Sequence, residues 1–322
     1  MELRTIVTEA ILANFRDIFG DRFKLNEPIG RYTSARVGGR AELYVAVNSA
    51  DELQMAAELA YAQQMPYFIL GGGSNILVAD EGLPGLVIHN RAKNISFRHS
   101  GAGVVCTADA GVNLSSLARQ CMAKGLGGLE WAVSIPGTVG GAVVGNAGAH
   151  GGDMSDCVRA VKVWTPGKGQ EIINNEQMGF EYRNSVLKEE HFDDVPRRVV
   201  LDVELILKPE APEILLGRAD AFIAHRKQTQ PGGASTGSMF KNPDHYYAGY
   251  LIETAGLKGM RIGGAVISDK HANFFVNEDN CRAEDIRELI AEAWHVVRTK
   301  FGIEMDLEVE LVGDWNFEFE EE

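Results

Sequence analysis

Hydrophobic residues recur at helical spacing in the longer apolar segments of the chain and run continuously or alternate in the shorter ones. Near the N-terminus the spacing predicts an amphipathic helix, with the apolar positions Ile6, Ala10, Leu12, Phe15, Ile18 and Phe19. The segment 48–64 opens with Ser49 and Glu52, three residues apart as in a capping box, and continues with helix formers. The segment 66–78, PYFILGGGSNILV, predicts a buried strand that runs into a glycine turn.

The middle of the chain is rich in short predicted strands, and its last third mixes helices with strands. Strands are predicted in GVVCTADAG (103–111), VRAVKVWT (158–165) and RRVVLDVELILK (197–208), with one helix at 113–125 that ends at Gly125. Two prolines in KPEAPE (208–213) indicate a boundary. Beyond it, helices are predicted in 214–230, 246–256 and 283–302, strands in 272–277 and 305–313, and a frayed acidic tail at the end. This order predicts an α+β or mixed α/β protein with more than one domain.

Length and charge narrow the possible functions. The chain has 322 residues, enough for two or three domains, and a net charge of −14 from 31 basic and 45 acidic side chains. With no run of Lys or Arg, this balance argues against nucleic-acid binding. No segment has the apolar length of a membrane span or the pattern of a secretory signal. The four cysteines are far apart in sequence, which favours reduced thiols in a cytoplasmic protein.

Two clusters of glycine are candidate ligand-binding segments. LGGGSN (70–75) follows an apolar strand and combines exposed backbone N–H groups with two short polar side chains, a combination suited to a pyrophosphate. On its own, such a triplet is more often a tight turn. The segment SIPGTVGGAVVGNAGAHGG (134–152) holds seven glycines in nineteen residues, and it lacks the composition of a flexible linker. Together they favour a large planar ligand such as a dinucleotide or a flavin.

The stretch STGSMFKNP (235–243) offers a possible nucleophile. Ser235 fits the G-x-S-x-G pattern of hydrolases, but the polar RKQTQPG before it is not the buried strand which that motif requires. Ser238 lies just beyond the match and remains a candidate. The histidines form no H-E-x-x-H pattern and no spaced pair with cysteine, so we expect no metal site.

Two charged residues, one beside an aromatic residue and one between apolar residues, are ordinary when each is considered alone. Arg183 follows an aromatic residue in FEYRNS (180–185), and such an arginine is usually solvated or ion-paired. Glu308 alternates with apolar neighbours and, on strand geometry, shares an outward face with Asp306 and Glu310. Neither residue identifies a function by itself.

Taken in order, these segments closely resemble the UDP-N-acetylenolpyruvoylglucosamine reductase family, in its shorter class. The resemblance covers nearly the whole chain. It rests on YTSARVGG (32–39), LGGGSNILVAD (70–80), SIPGTVGGAVVGNAGAHGG (134–152), FEYRNS (180–185), GSMFKNP (237–243), AGYLIETAGLKG (248–259), GGAVISDKHANFFVN (263–277) and LEVELVG (307–313). Two positions depart from the family pattern, since His150 stands where tyrosine is common and Asp153 where glutamate is common.

The resemblance implies the flavin-binding fold of vanillyl-alcohol-oxidase type proteins and an α+β substrate domain. Two FAD-binding subdomains would span 1–95 and 96–210, and the substrate domain 211–322. The residues implied to bind FAD are Gly71, Gly72, Gly73, Ser74 and Asn75 at the pyrophosphate, and Ser134, Gly140, Asn146, Ala147 and Gly148 around the rest of the flavin. Lys241 and Asn242 would contact the nucleotide-sugar substrate.

The implied reaction is the NADPH-dependent reduction of UDP-N-acetylglucosamine enolpyruvate to UDP-N-acetylmuramate, in peptidoglycan synthesis. NADPH reduces FAD, and hydride then passes from flavin N5 to the β carbon of the enol ether. By resemblance, Arg183 and Glu308 flank the enolpyruvyl carboxylate and Ser238 protonates the α carbon. A serine is a very weak acid, yet it can protonate a carbanion, which is a far stronger base.

Three other functions remain as alternatives. A flavin-dependent oxidase with the same FAD-binding halves would pass electrons to oxygen and would not need GSMFKNP. A serine hydrolase acting through Ser235 would be colourless, and a non-catalytic nucleotide-sugar binding module would not need Arg183, Ser238 and Glu308 together. The choice of NADPH over NADH rests on the resemblance alone, and the sequence leaves the oligomeric state open.

Overall fold

A computed structural model describes residues 8–101, 103–188 and 198–315. Ile6 and the acidic tail, which begins at residue 317, lie outside these ranges. Within them the α-helices are α1 (Glu9–Phe19), α2 (Ala50–Ala62), α3 (Leu114–Ala123), α4 (Val139–Val144), α5 (Pro212–Thr229), α6 (Ala248–Thr254) and α7 (Ala283–Phe301). The strands are β1 (Phe23–Pro28), β2 (Arg40–Val47), β3 (Tyr67–Leu70), β4 (Ile76–Val78), β5 (Leu83–Asn90), β6 (Ile95–Ser100), β7 (Gly103–Asp109), β8 (Leu126–Gly127), β9 (Gly148–Ala149), β10 (Gly152–Asp153), β11 (Val158–Thr165), β12 (Gly169–Asn174), β13 (Val199–Pro209), β14 (Arg261–Ile262), β15 (Ala265–Ile267), β16 (Phe275–Asn277) and β17 (Glu310–Val312).

The described chain divides into two compact units built from interleaved segments. The first unit takes in the chain up to Asn26, Glu42–Gly72 and Gly85–His225. The second unit takes in Glu27–Ala41, Gly73–Pro84 and the chain from Arg226 onward. The domain limits expected at residues 95 and 210 stay a prediction. No helix in the described ranges is both long enough and apolar enough to cross a bilayer.

The first unit contains two larger sheets and the small antiparallel pair β9-β10. One has the strand order β1-β2-β5-β3, in which β3 runs parallel to β5, and residues of α1 and α2 pack in the same core as this sheet. The other has the order β12-β11-β13-β7-β6, is antiparallel throughout, and carries β8 as an additional partner of β13. Buried residues of α3 and α4 pack in the core beside this second sheet. The mixture of helices and sheets confirms the α+β class.

Helix α2 begins where the sequence predicts it, although only half of the capping box forms. The Ser49 hydroxyl accepts the N–H of Glu52 at 3.1 Å, which satisfies one of the free donors of the first turn. The Glu52 carboxylate does not return to Ser49. It accepts the N–H of Asn48 at 2.8 Å and pairs with the Arg22 guanidinium at 2.9 Å. An ion pair with a distant residue therefore replaces the local bond of the motif.

The second unit packs α6 and α7 around the sheet β14-β15-β16, with the parallel pair β4-β17 in the same unit. Asp80 ties the segment Gly73–Pro84 to α7, because its two carboxylate oxygens accept the N–H groups of Ala283 and Glu284, each at 3.0 Å. A carboxylate at a helix N-terminus is favoured by the unsatisfied N–H groups and by the helix dipole. This contact holds the turn after β4 in place.

The strand predicted over 305–313 is much shorter than expected. Only Glu310–Val312 is extended as β17, because the chain bends before it. The carbonyl of Met239 accepts the N–H of Glu308 at 2.8 Å and that of Val309 at 3.3 Å, so two successive N–H groups converge on one oxygen. Such convergence breaks the alternation of a regular strand. The expected shared face of Asp306, Glu308 and Glu310 is therefore wrong.

The protein is expected to lose stability in mild acid because of His89. Burial lowers the pKa of His89 to about 4, with a further contribution from the positive charge of Arg91, and its Nδ1 lies 2.7 Å from the Tyr44 hydroxyl. Above the unfolded-state pKa of about 6.5 both states are neutral. Between pH 6.5 and pH 4 the unfolded chain binds the proton first, so the free energy of unfolding falls, by about 2 kcal/mol for this group.

Urea unfolding at pH 7 and at pH 5 measures this loss, with His89→Gln as the comparison. The variant has no group titrating at this position, so its stability should change less between the two pH values. An equal change in the variant and in the parent would contradict the assignment to His89.

Candidate active site

The predicted pyrophosphate loop lies directly against the glycine-rich stretch in the first unit. A Cβ atom added at Gly71 would lie 2.5 Å from the Thr138 hydroxyl oxygen, and one added at Gly72 would lie 2.8 Å from the Cα of Gly137. Both distances are shorter than any van der Waals contact of carbon. The structure therefore brings together two glycine clusters that lie more than sixty residues apart in the sequence.

Replacing Gly72 by alanine is expected to weaken FAD retention. The new methyl group would push the loop away from Gly137, at a cost of about 1–3 kcal/mol, and would displace the N–H groups assigned to the pyrophosphate. Flavin fluorescence measures the dissociation constant. Gly217→Ala on α5 is the matched control, since nothing lies within 4 Å of its Cβ position. It should leave FAD binding unchanged and stabilise the helix by about 0.5–1 kcal/mol. Unchanged FAD affinity in Gly72→Ala would contradict the assignment of this loop.

The stretch 134–152 is folded rather than flexible. It contains α4, where the Thr138 side chain caps the first turn, and the N–H of Gly140 donates to the Ala110 carbonyl at 2.8 Å. A Cβ at Gly140 would lie 2.8 Å from the Cβ of Ala110. Gly140 is thus required by the close approach of α4 to the turn after β7. The N–H of Ala147 bonds the Ala142 carbonyl at 2.8 Å and closes the end of the helix.

Two buried polar atoms in this region have no hydrogen-bond partner within the described ranges. They are the Ser134 hydroxyl and the Trp131 indole N–H. Buried polar groups are nearly always paired in native proteins, so each such atom requires an explanation. A bound cofactor with acceptors on its ring and ribityl chain would supply partners. Ser134 was expected from the sequence, whereas Trp131 was missed because a buried tryptophan is usually just a core residue.

Arg183 lies beside the glycine-rich stretch in an unusual backbone conformation. Its φ is +58°, which is uncommon for a residue with a side chain, and its Nη2 donates to the Gly148 carbonyl at 2.9 Å. The guanidinium also lies over the Tyr182 ring, 5.2 Å from the centroid. Strained conformations of this kind persist where the surroundings fix them, often at functional sites.

The loop that carries Arg183 is fastened to the flavin-binding stretch at two further points. The Asn146 side-chain amide donates to the Glu181 carbonyl at 2.9 Å, and the Ser185 hydroxyl donates to the Val144 carbonyl at 2.7 Å. Asn146 is buried and itself has a positive φ of 40°. The motifs FEYRNS and GNAGAHGG therefore form one hydrogen-bonded structure. Hydrogen bonds within the protein therefore fix the loop that carries Arg183.

In the second unit Asn75, Met239 and Glu308 form a hydrogen-bonded cluster next to Ser238. The Met239 carbonyl accepts the Glu308 N–H at 2.8 Å, and the Asn75 side-chain amide donates to the Glu308 carbonyl at 3.0 Å. The N–H of Glu310 donates in turn to the Asn75 carbonyl at 2.9 Å. Ser238 precedes Met239 and is itself bridged to Phe274. We call this group the Ser238–Glu308 cluster.

Gly73 and Ser74 belong to the second unit, where the segment YTSARVGG supports them. The Gly73 carbonyl accepts the Ser34 N–H at 2.8 Å. Its φ is +57°, and a Cβ there would lie 2.2 Å from the Tyr32 carbonyl oxygen, so only glycine fits. The turn predicted after β3 is confirmed.

Lys241 and Asn242, expected at the substrate, begin a compact loop. The Lys241 N–H donates to the Asp306 carbonyl at 2.8 Å, and the Asn242 side-chain oxygen accepts the Ala248 N–H at 3.1 Å. Asn242 thus closes a loop that leads into α6. It shapes the loop in addition to any contact with substrate.

The expected site residues divide between the two units. The first unit holds Gly71, Gly72, Ser134, Gly140, Asn146, Ala147, Gly148 and Arg183, and the second holds Gly73, Ser74, Asn75, Ser238, Lys241, Asn242 and Glu308. Within the first unit the predicted flavin residues and Arg183 form one connected region. Within the second, Ser238, Asn75 and Glu308 do so.

Residues 41–173 match the family model described as FAD binding domain. The buried unpaired atoms at Ser134 and Trp131 and the close-packed glycines fit such a cofactor. The fold and this region define the protein as a flavoprotein of the FAD-binding class.

Comparison with known proteins then gives the family. Residues 228–312 match the family model of the UDP-N-acetylenolpyruvoylglucosamine reductase C-terminal domain. The enzyme of this name from Chloroflexus aggregans is 40% identical over 89% of this chain and 96% of its own length. That from Caldanaerobacter subterraneus is 37% identical over 96% of this chain and its full length. The crystal structure of the Thermus caldophilus enzyme superposes with a TM-score of 0.74 at 36% identity, covering 90% of this chain and 97% of that one.

The chain belongs to the UDP-N-acetylenolpyruvoylglucosamine reductase family. It is an FAD-dependent oxidoreductase, and the expected flavin-binding fold is confirmed.

Proposed function

We propose that NADPH is the reductant and that Ser238, Arg183 and Glu308 carry the substrate half of the reaction, the conversion of UDP-N-acetylglucosamine enolpyruvate to UDP-N-acetylmuramate in peptidoglycan precursor synthesis. The observation that supports this most strongly is the Ser238–Glu308 cluster. It joins two residues seventy positions apart, and both lie in the segment matched by the family's C-terminal domain. It brings the backbone segments that carry the Ser238 hydroxyl and the Glu308 carboxylate into one hydrogen-bonded cluster.

Bound FAD would supply the two-electron chemistry between the nicotinamide and the enol ether. The chain's own part begins with binding. Gly71 and Gly72 allow the loop assigned to the pyrophosphate to lie directly against Thr138 and Gly137, and the Ser134 hydroxyl is available for a cofactor atom. The glycine-rich stretch, which Asn146 fastens to the Glu181 carbonyl, would shield a bound ring system from water.

Ser238 is proposed to protonate the α carbon of the substrate. Its side chain is half-buried, and no hydrogen bond joins its hydroxyl to another described residue. Gly237 before it has a φ of +85°, a conformation that presents the serine at a turn rather than along a regular strand. When the β carbon is reduced, negative charge develops on the α carbon, and a hydroxyl held beside it can transfer its proton.

Arg183 is proposed to bind the enolpyruvyl carboxylate. A guanidinium can form two parallel hydrogen bonds to a carboxylate, and it stabilises the negative charge that spreads onto this group during reduction. Its Nη2 donates to the Gly148 carbonyl at 2.9 Å. Since that contact is part of the flavin-binding stretch, the arginine is positioned relative to the cofactor.

Glu308 is proposed to act with Arg183 around the same carboxylate. Its side chain is half-buried, and both of its peptide groups are fixed, the N–H by Met239 and the carbonyl by Asn75. Lys241 and Asn242 are proposed to contact the nucleotide sugar, the lysine through its positive charge.

The configuration of the hydrogen added at the α carbon tests whether a fixed acid of the protein donates that proton. In D₂O with NADPH and the enolpyruvyl sugar, we expect UDP-N-acetylmuramate with deuterium at the α carbon in one configuration. A mixture of configurations would show that bulk solvent, rather than a fixed hydroxyl, supplies the proton.

Replacing NADPH by NADH in the same assay tests the choice of NADPH as the reductant. Equal kcat/KM values for the two cofactors would contradict that choice.

A further inference from the structure

Three exposed tyrosines lie together in the second unit, in the stretch HYYAGY (245–250). Their exposed fractions are 49% for Tyr246, 74% for Tyr247 and 63% for Tyr250. Of the eight tyrosines in the chain, Tyr182 is the one other that is exposed within the described ranges. The side chains of the three make no ring contact and no hydrogen bond with another described residue. Isolated exposed aromatic residues are common, but three within five residues leave a large apolar area in water.

Two hydrogen bonds fix the backbone of the loop that carries these rings. The Asn242 side chain accepts the Ala248 N–H at 3.1 Å, and the Tyr246 N–H donates to the Pro243 carbonyl at 3.1 Å. Tyr247 immediately precedes α6, and Tyr250 follows three residues later, so the two lie on neighbouring positions of one helical face. The backbone positions that carry the rings are therefore set before any ligand binds, which lowers the entropy cost of stacking on them.

The same loop begins at Lys241, which is proposed to contact the nucleotide sugar through its positive charge. Lys241 is bonded through its N–H to Asp306, directly before the loop. Because Asn242 bonds Ala248, the backbone at Lys241 and that at Tyr247 lie within about three Cα–Cα steps of each other. A nucleoside diphosphate carries an anion and a planar base at a comparable separation. A lysine and an aromatic surface at this spacing therefore match both of its parts.

We propose that Tyr246, Tyr247 and Tyr250 form the stacking surface for the uracil ring of the substrate, with Tyr247 the main contact. The proposal rests on the proposed function, because that function supplies a uridine nucleotide. Every base has a π face that can stack on an aromatic ring, and each such contact contributes about 1–3 kcal/mol to binding. The tyrosines also lie within residues 228–312, the segment matched by the family-specific domain rather than by the FAD-binding one.

The test is the binding of uridine monophosphate as a competitive inhibitor, together with steady-state kinetics. In Tyr247→Ala we expect the inhibition constant and the KM for the enolpyruvyl sugar to rise at least about ten-fold, with little change in kcat. Tyr247→Phe should stay within about two-fold of the parent, since stacking needs the ring and not the hydroxyl. Tyr250→Ala should show a smaller rise than Tyr247→Ala. Phe301→Ala removes another exposed aromatic ring of the second unit and should change neither constant.

Three results would overturn the proposal. One is an unchanged inhibition constant and KM in Tyr247→Ala with full FAD content. Another is a rise in the KM for NADPH alone, which would assign the rings to the adenine of the nicotinamide cofactor. The third is a change of oligomeric state without a change in nucleotide binding, which would assign them to a second copy of the chain. If the parent protein neither binds the nucleotide nor reduces the sugar, the proposed function itself fails, and this outcome is distinct from the other three.

Discussion

Replacing Ser238 by alanine is expected to slow reduction of the enolpyruvyl sugar severely while bound FAD is still reduced by NADPH at the parent rate. The expected loss in kcat is about 10²- to 10⁴-fold, the usual contribution of a positioned general acid. The electron-accepting half should be unaffected, because the residues that hold the cofactor stay in place. Stopped-flow absorbance separates the two halves, since reduction and reoxidation of the flavin are observed one after the other.

Ser235→Ala is the matched control for this prediction. Ser235 lies three residues before Ser238 in the same loop and carries the same hydroxyl, so its removal tests whether any serine of the loop suffices. We expect it to retain full turnover. Full turnover in Ser238→Ala would remove the general-acid assignment, and a loss in Ser235→Ala alone would reopen the hydrolase-like interpretation of the loop.

Changing Arg183 to lysine is expected to lower kcat for the enolpyruvyl sugar by about 10²- to 10³-fold, although the positive charge is kept. A lysine cannot form two parallel bonds to a carboxylate, and it lacks the planar group that lies over the Tyr182 ring and bonds the Gly148 carbonyl. Because charge develops on the carboxylate in the transition state, the effect should fall on kcat more than on KM. Stopped-flow reoxidation of reduced flavin by the sugar measures it.

Arg159→Lys provides the comparison. Arg159 belongs to the same unit but is an exposed partner of Glu204 on the strand β11, where an ion pair contributes little. Its replacement should leave both half-reactions unchanged. If Arg183→Lys also turned over at the parent rate, the arginine would be a structural fastening of the loop and not a substrate ligand.

The sequence predicts most helices and strands because their signals are local. The polar–apolar spacing of α1, the Ser49 cap of α2 and the glycine after α3 all appear in the structure at the expected places. The prediction of a strand over 305–313 is wrong because the contact that decides its structure is not local. Its pattern is alternating, but a carbonyl from Met239, far away in sequence, takes two successive N–H groups and bends the chain. No periodicity within the segment could indicate that contact.

The sequence alone predicts only part of the candidate site. The glycine clusters indicate close backbone approach, yet the sequence does not say that Gly72 approaches Gly137 or that Gly140 approaches Ala110. Arg183 and Glu308 have no local signal at all, and their roles depend on the resemblance to the family. Trp131 was missed, although a second unpaired buried atom beside Ser134 distinguishes it once the structure is known.

We expect this one protein to carry out both half-reactions on one flavin. The most direct measurement is the visible absorption spectrum of the purified protein without oxygen, first with NADPH and then with UDP-N-acetylglucosamine enolpyruvate. We expect the oxidised flavin band to disappear with NADPH and to return when the sugar is added. A band that disappears with NADPH and returns with oxygen but never with the sugar would contradict the claim.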